Sequence, residues 1–460
     1  MSPSLLAFYL SLMMVFLVGL MIVQHLQGTH GIISLRNFYL AGLVVYLIIS
    51  PIYVLWAEDP SPFRVMDLAS SGLTYCIYLT IYIVVFLWAY SRRQPMLRLA
   101  QKVPAVKVVP SDGAMLAMAI VLSLLALPCR FLMVLPMVGV VAYYVALALT
   151  SVSSGLLGWV LARRWINPAV WMIFFPLMAL NGFIAVFEQM TRRPLLSVLL
   201  AVLWGLYFSR MRYQRPAQSL ALLMAVVLPL VILLAVYTSV RTQEFREMGS
   251  LQIIREMSNP ANIDLKSGVK EMFGGQATGG GALWTMEAYP DLYDRRPMMS
   301  LAYLIVGNIP RTLWPDKPYV YSAMIADQAK IQGANLRRTS GEKGVTLPPG
   351  VIAFAEAEGG LIAVVVYAVF FAFSIRFLEN LALLHAHIPF VVLAVGSALG
   401  TLTGLARGDI ALFYMLIIWS FVSAYVILLL FGLMVRQTTA ARYIDGRLLP
   451  GTPAQAHSPG

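Results

Sequence analysis

The chain reads as an all-α, polytopic integral membrane protein with about eleven transmembrane helices, ten at the least and twelve at the most. Three observations lead there. Apolar residues make up 60% of the 460 positions and charged residues only 12%, against roughly 45–50% and about 25% in soluble domains. The mean hydropathy is +0.78. Apolar runs close to the ~20 residues that cross ~30 Å of hydrocarbon recur from end to end, interrupted by one long polar stretch at 241–350.

Taken in order, the expected spans cover residues 4–24, 38–57, 70–91, 113–129, 133–162, 167–187, 194–209, 217–240, 351–375, 388–406 and 410–435. The first lacks the basic flank of a cleavable leader, so it reads as a retained helix. The 133–162 run is too long for one upright helix: either Ser151, Ser153, Ser154 and Gly155 mark a break in it, or it hides a re-entrant piece. Four regions follow: an N-terminal bundle of about eight helices at 1–240, a large loop at 241–350, C-terminal helices at 351–435, and a polar tail at 436–460 that reads as disordered.

Lys and Arg mark the cytoplasmic side of a membrane protein. With the N-terminus outside, one face receives Arg36, Arg92, Arg93, Arg98, Lys102, Lys107, Arg163, Arg164, Arg210, Arg212, Arg215, Arg376, Arg436, Arg442 and Arg447, fifteen in all. The short loops of the other face carry five: Arg64, Arg130, Arg192, Arg193 and Arg407. The first face is therefore cytoplasmic, and the 241–350 loop is outside. The net charge of +12 fits basic cytoplasmic loops and makes nucleic acid a poor partner. The two cysteines, Cys76 and Cys129, lie in apolar runs and offer neither a disulfide framework nor a zinc site.

The large loop carries thirteen basic and eleven acidic residues. Residues 244–257 have the spacing of an amphipathic helix, and 319–332 look like a second. Residues 298–309 are apolar but too short to cross. Residues 274–281 (GGQATGGG) read as a flexible glycine loop without the Lys-Ser/Thr ending of a nucleotide site. The loop thus reads as a small helical cap. Guanidinium groups suit phosphate oxygens and stay charged. Most loop arginines have carboxylates nearby to pair with. Arg311 differs, because Pro310 and the Trp314-Pro315 pair stiffen the backbone around it.

Other candidates are Arg407 beside Asp409 at an outer turn, Glu356 and Glu358 at the outer end of the ninth span, and Glu58-Asp59 in the first outer loop. Glu356 and Glu358 sit two apart on a helix and point differently, so they are no natural acid–base pair. Arg130, Arg192 and Arg193 line short outer turns and face the same cavity or anchor the interface. No histidine falls on the outer face.

The span order, the large late outer loop and the run Asn308-Ile309-Pro310-Arg311-Thr312-Leu313-Trp314-Pro315-Asp316-Lys317-Pro318, with Glu358-Gly359-Gly360 and Arg407-Gly408, resemble the oligosaccharide repeat-unit polymerases. These are the Wzy-type O-antigen and exopolysaccharide polymerases of bacterial inner membranes. The resemblance implies a GT-C-like fold and a metal-independent, inverting glycosyltransferase without cofactor, with its loop in the periplasm. It would polymerise undecaprenyl-diphosphate-linked repeat units, alongside a chain-length regulator and a flippase. Arg311 and Arg296 would take the family's loop-arginine roles; Arg296 stands before Gly307 in an Arg-x10-Gly spacing. Lys317, Arg407 and Arg246 would support the diphosphate, and Glu287 or Glu358 would accept the proton of the attacking hydroxyl. Two rival readings stand beside it: an O-antigen ligase or other polyprenyl-linked glycosyltransferase, and a lipid-linked sugar transporter or flippase.

Overall fold

The computed structural model describes residues 1–132, 138–186, 192–240, 264–266, 268, 278–309, 313–330 and 348–438. All regular structure among them is helical. The helices are α1 Pro3–Leu26, α2 Leu35–Ala57, α3 Leu68–Ser91, α4 Arg93–Gln101, α5 Asp112–Phe131, α6 Gly139–Arg163, α7 Pro168–Val186, α8 Arg192–Ser209 and α9 Pro216–Val240. After these come α10 Thr278–Ala288, α11 Met299–Val306, α12 Tyr321–Gln328, α13 Val351–Gly359, α14 Leu361–Leu384, α15 Pro389–Gly396, α16 Leu399–Gly404 and α17 Ile410–Thr438. Among the described residues nine are long and apolar enough to cross a membrane, as in a multi-pass membrane protein. Shorter apolar stretches lie at Pro216–Pro229 and Pro389–Gly404.

Polar residues set where these helices start. Ser2 caps α1 ahead of Pro3, Ser34 Oγ accepts from Asn37 N at 3.2 Å, and Asp67 Oδ1 accepts from Ala69 N and Ser70 N. Each satisfies amides that a helix start leaves open. The α1 face bearing Leu5, Phe8, Leu12, Val15 and Phe16 is exposed, as a lipid-facing stripe requires.

α6 corrects one expectation. It runs unbroken through Ser151–Gly155 and is almost wholly buried; residues 133–137 lie outside the described set. Ser153 and Ser154 find partners on a neighbouring helix. Asn181 Nδ2 donates to Ser153 Oγ and Ser154 Oγ at 3.1 Å, and Ser123 Oγ donates to Asn181 Oδ1 at 2.8 Å. Such bonds hold helices together where no water competes.

The C-terminal half brings further corrections. The expected 351–375 span is two helices, α13 and α14, parted at Gly360, and α14 runs on to Leu384. The helix extension buries Glu379, which the sequence placed in a cytoplasmic loop. The 388–406 span is likewise divided, into α15 and α16. The helix expected to end at 435 continues to Thr438. The expected helix at 244–257, Gly274–Ala277 and the tail beyond 438 lie outside the described residues.

Residues 278–281, expected as a flexible glycine loop, form the buried start of α10 instead. A Cβ on Gly280 would stand 2.1 Å from Pro60 O, and one on Gly279 would stand 2.7 Å from Ser50 C. The glycines serve close approach, so α10 packs against α2 and α3. With α11 and α12 it forms a cap over one end of the bundle.

Candidate functional site

Beneath the cap lies α13, whose carboxylates are the centre of the candidate site. Its start is tied down where Val351 N donates to Ala406 O at 2.9 Å. Its end is set by Gly360, at φ +60° and ψ −138°, a conformation open to glycine and strained for other residues. The turn leaves room for the Arg295 guanidinium, 3.1 Å from where a Cβ on Gly360 would stand.

Glu358 is fully buried. It accepts from Ser300 N at 3.2 Å, from Ser300 Oγ and from Tyr367 Oη. Burial pushes its carboxyl up from 4.5 to about 7, outweighing the hydrogen bonds of Ser300 and Tyr367, which act the other way. Asp409 lies close enough to push it in the same direction. Asp409 is itself buried; its oxygens accept from Ser322 N at 3.1 Å and Leu412 N at 3.3 Å, and burial raises its pKa.

Glu356 faces another way, as the two-residue spacing requires. It pairs with Arg295, whose Nη2 stands 2.5 Å from Oε1 and whose Nε donates to the Glu356 backbone oxygen. The Ala357 carbonyl receives both Arg296 N, at 3.0 Å, and Tyr321 Oη, at 2.8 Å. One turn of α13 thus gathers α11, α12 and the 289–296 segment onto itself.

The other predicted residues are placed as follows. Arg296 lies beneath the cap, with Nη1 3.6 Å from Met324 Sδ. Glu287 takes Met66 N at 2.9 Å, tying α10 to the 58–67 loop. Lys317 is buried and donates to Gly307 O at 2.6 Å and Ile309 O at 2.9 Å, so it is held against the end of α11. Arg311 and Arg246 fall outside the described residues. Glu58 ends α2 in a left-handed conformation, at φ 52°.

Arg407 belongs to a second group. Its guanidinium lies 5.5 Å from the Tyr46 ring centre, and Arg193 sits over the Phe413 ring at 4.0 Å. Arg193 also interacts electrostatically with Tyr46 and Tyr143. Arg130 stands 5.6 Å from the Tyr143 ring and is buried. Arg130 at the end of α5, Arg193 at the start of α8 and Arg407 in the turn before α17 therefore meet around two tyrosines, next to the 406–409 turn that also supports α13. Sequence reasoning had placed Arg130 and Arg193 on this face. Tyr46, Tyr143, Tyr367, Ser300 and Arg295 it did not single out, because nothing local distinguishes them from other span or loop residues.

Among the described residues, no group of three or more His, Cys, Asp or Glu side chains is placed to hold a metal ion. Comparison of the chain with family models, with curated proteins and with solved structures gave no match.

Proposed function

We propose that the chain is a glycosyltransferase that polymerises undecaprenyl-diphosphate-linked oligosaccharide repeat units. In this reading the cap lies on the periplasmic face of a bacterial inner membrane, on a GT-C-like bundle of eleven crossings. The observation that carries it is the meeting of Arg130, Arg193 and Arg407 around Tyr46 and Tyr143, with Arg407 in the same turn as Asp409, which acts on the buried Glu358.

The chemistry needs both parts. The acceptor hydroxyl oxygen attacks the anomeric carbon as the bond to the diphosphate oxygen breaks, so negative charge builds on the leaving group. Fixed guanidinium groups stabilise that charge best where water is excluded. Arg193, Arg407 and Arg130 take this role together with Arg296, and Arg311 and Arg246 keep the diphosphate-binding roles that the resemblance implies. Glu358 receives the hydroxyl proton, through Ser300 or directly; a base works best when its pKa is near the working pH. Glu287 and Lys317 hold the cap rather than the substrate, as their bonds to Met66 N and to Gly307 O indicate.

The test uses purified full-length protein in nanodiscs with lipid-linked repeat units and no lipid A. The expected result is a ladder of longer lipid-linked glycans. Arg193→Gln should shorten or abolish the ladder while the protein stays folded. Elongation that requires a lipid A acceptor would replace this reading with a ligase. Movement of the lipid-linked sugar across the bilayer without elongation would replace it with a flippase.

A further inference from the structure

A second polar cluster lies at the other end of the bundle. The 23 residues of α2 span about 35 Å at ~1.5 Å per residue; the cap meets its last turns and this cluster its first. Here the 27–34 loop, the exit of α8 and the last turns of α14 enclose a cavity of about 280 Å3. Trp204 and Phe208 give it an apolar wall, and Arg212, His30, Ser34 and Glu379 give it polar ones.

The charges of this cluster do not balance. Its carboxylate is Glu379, which accepts from Tyr90 Oη at 2.5 Å and from Arg36 N at 3.4 Å and stands 3.2 Å from His30 Nε2. Arg36 and Arg376 interact with it, and Arg212 lines the same cavity. Arg36 and Arg376 stack on the Tyr90 ring at 5.5 and 4.6 Å, and Arg212 lies over Phe208 at 5.3 Å. Arg36 directs Nε and Nη2 to the neutral Asn37 amide. His25 is engaged elsewhere: its Nδ1 accepts from Ile32 N and its Nε2 bonds Ser219 Oγ. Burial and the two arginines push His30 down to about 3, so it stays neutral. Three positive charges against one negative leave a surplus of two.

Two of the guanidinium nitrogens, Arg212 Nη1 and Arg376 Nε, are buried without a hydrogen-bond partner among the described residues. Buried donors of a charged group are costly when unmatched. We propose that this cavity binds a phosphate group, held by Arg212 in the surplus positive field of Arg36 and Arg376. A tetrahedral anion offers several acceptor oxygens to a guanidinium fork. The volume lies at the lower end of small-ligand sites, roughly 300 Å3, and so admits a phosphate with a short substituent, not a nucleotide or a lipid-linked glycan. The phosphate is either free in solution or the headgroup of an anionic lipid in the adjacent leaflet. Neither the site nor its test depends on the reaction proposed at the cap.

The test uses the delipidated full-length chain. Inorganic phosphate is titrated against chloride at equal ionic strength, and thermal stability is read. In parallel, phosphatidic acid is added back and stoichiometry is read by native mass spectrometry, with phosphatidylcholine as control. Saturable binding of one equivalent is expected, weakened roughly tenfold or more in Arg212→Gln. Arg212→Lys keeps the charge but loses the fork, so it should bind more weakly than wild type, and it decides the matter if Arg212→Gln does not fold. Binding of phosphatidic acid alone identifies a headgroup site, and binding of inorganic phosphate identifies a site for the free anion. Wild-type protein that takes up neither, or variants that bind as tightly as wild type, would overturn the proposal.

Discussion

Glu358 is where burial changes chemistry most directly. A carboxyl pushed up to about 7 is half ionised near neutral pH, and only the ionised form takes a proton from a hydroxyl. Activity should therefore rise with pH through about 7 and level off above it. Glu358→Gln should lose about 100-fold or more and lose that limb of the profile, as measured by initial rates of glycan elongation between pH 5.5 and 8.5. A flat wild-type profile would remove Glu358 from the mechanism. Stability should move oppositely. The folded-state pKa lies above the ordinary value of 4.5, so the folded state holds the proton more tightly. The stabilising contribution is complete below about 4.5 and declines as pH rises through 7. Glutamine at 358 should abolish that decline in thermal melts.

At the scale of elements, the break between α13 and α14 matters most. An uninterrupted helix from 351 onward, as the hydropathy of the sequence predicts, would leave no turn at Gly360 for Arg295 to enter. The left-handed turn lets α13 lie beneath the cap while α14 crosses the apolar layer. Gly360→Ala should cost about 1–3 kcal/mol through backbone strain and should also displace the Arg295–Glu356 pair. Denaturant titration in detergent reads the first effect; an unchanged midpoint would show that the turn tolerates a side chain. Glycine at 278–281 has a different cause. Glycine-rich sequence predicts flexibility when backbone freedom is all that is considered. In the fold the absent side chains let α10 touch Pro60 and Ser50, which no local pattern discloses.

At the scale of the whole molecule, the cap and the 58–67 loop share one face, joined by Glu287 and Met66. The 92–111 segment lies at the opposite face, one α3 length away. In a background with Cys76 and Cys129 replaced, Met66→Cys and Leu292→Cys, both at well-exposed positions, should react with a membrane-impermeant maleimide from the same side. Arg92→Cys should react only after the membrane is opened. Labelling of Met66→Cys and Leu292→Cys from different sides would invert part of the topology.

By itself, the sequence determined the helical, multi-pass class, most span limits to within a few residues, and the presence of charged groups at the ends of the spans. It did so because apolar length and the need to satisfy backbone amides in lipid are local constraints. The tertiary structure decided which charges meet. Arg130, Arg193 and Arg407 come from segments far apart in the chain, and Glu358 gains its raised pKa from burial and from Asp409, against the hydrogen bonds of Ser300 and Tyr367. Glu379 turned from a loop acid into a buried one beside Arg36 and Arg376, in a cavity that Arg212 also lines. Burial and Coulomb interactions depend on distance in space, and hydropathy along the chain carries no record of that.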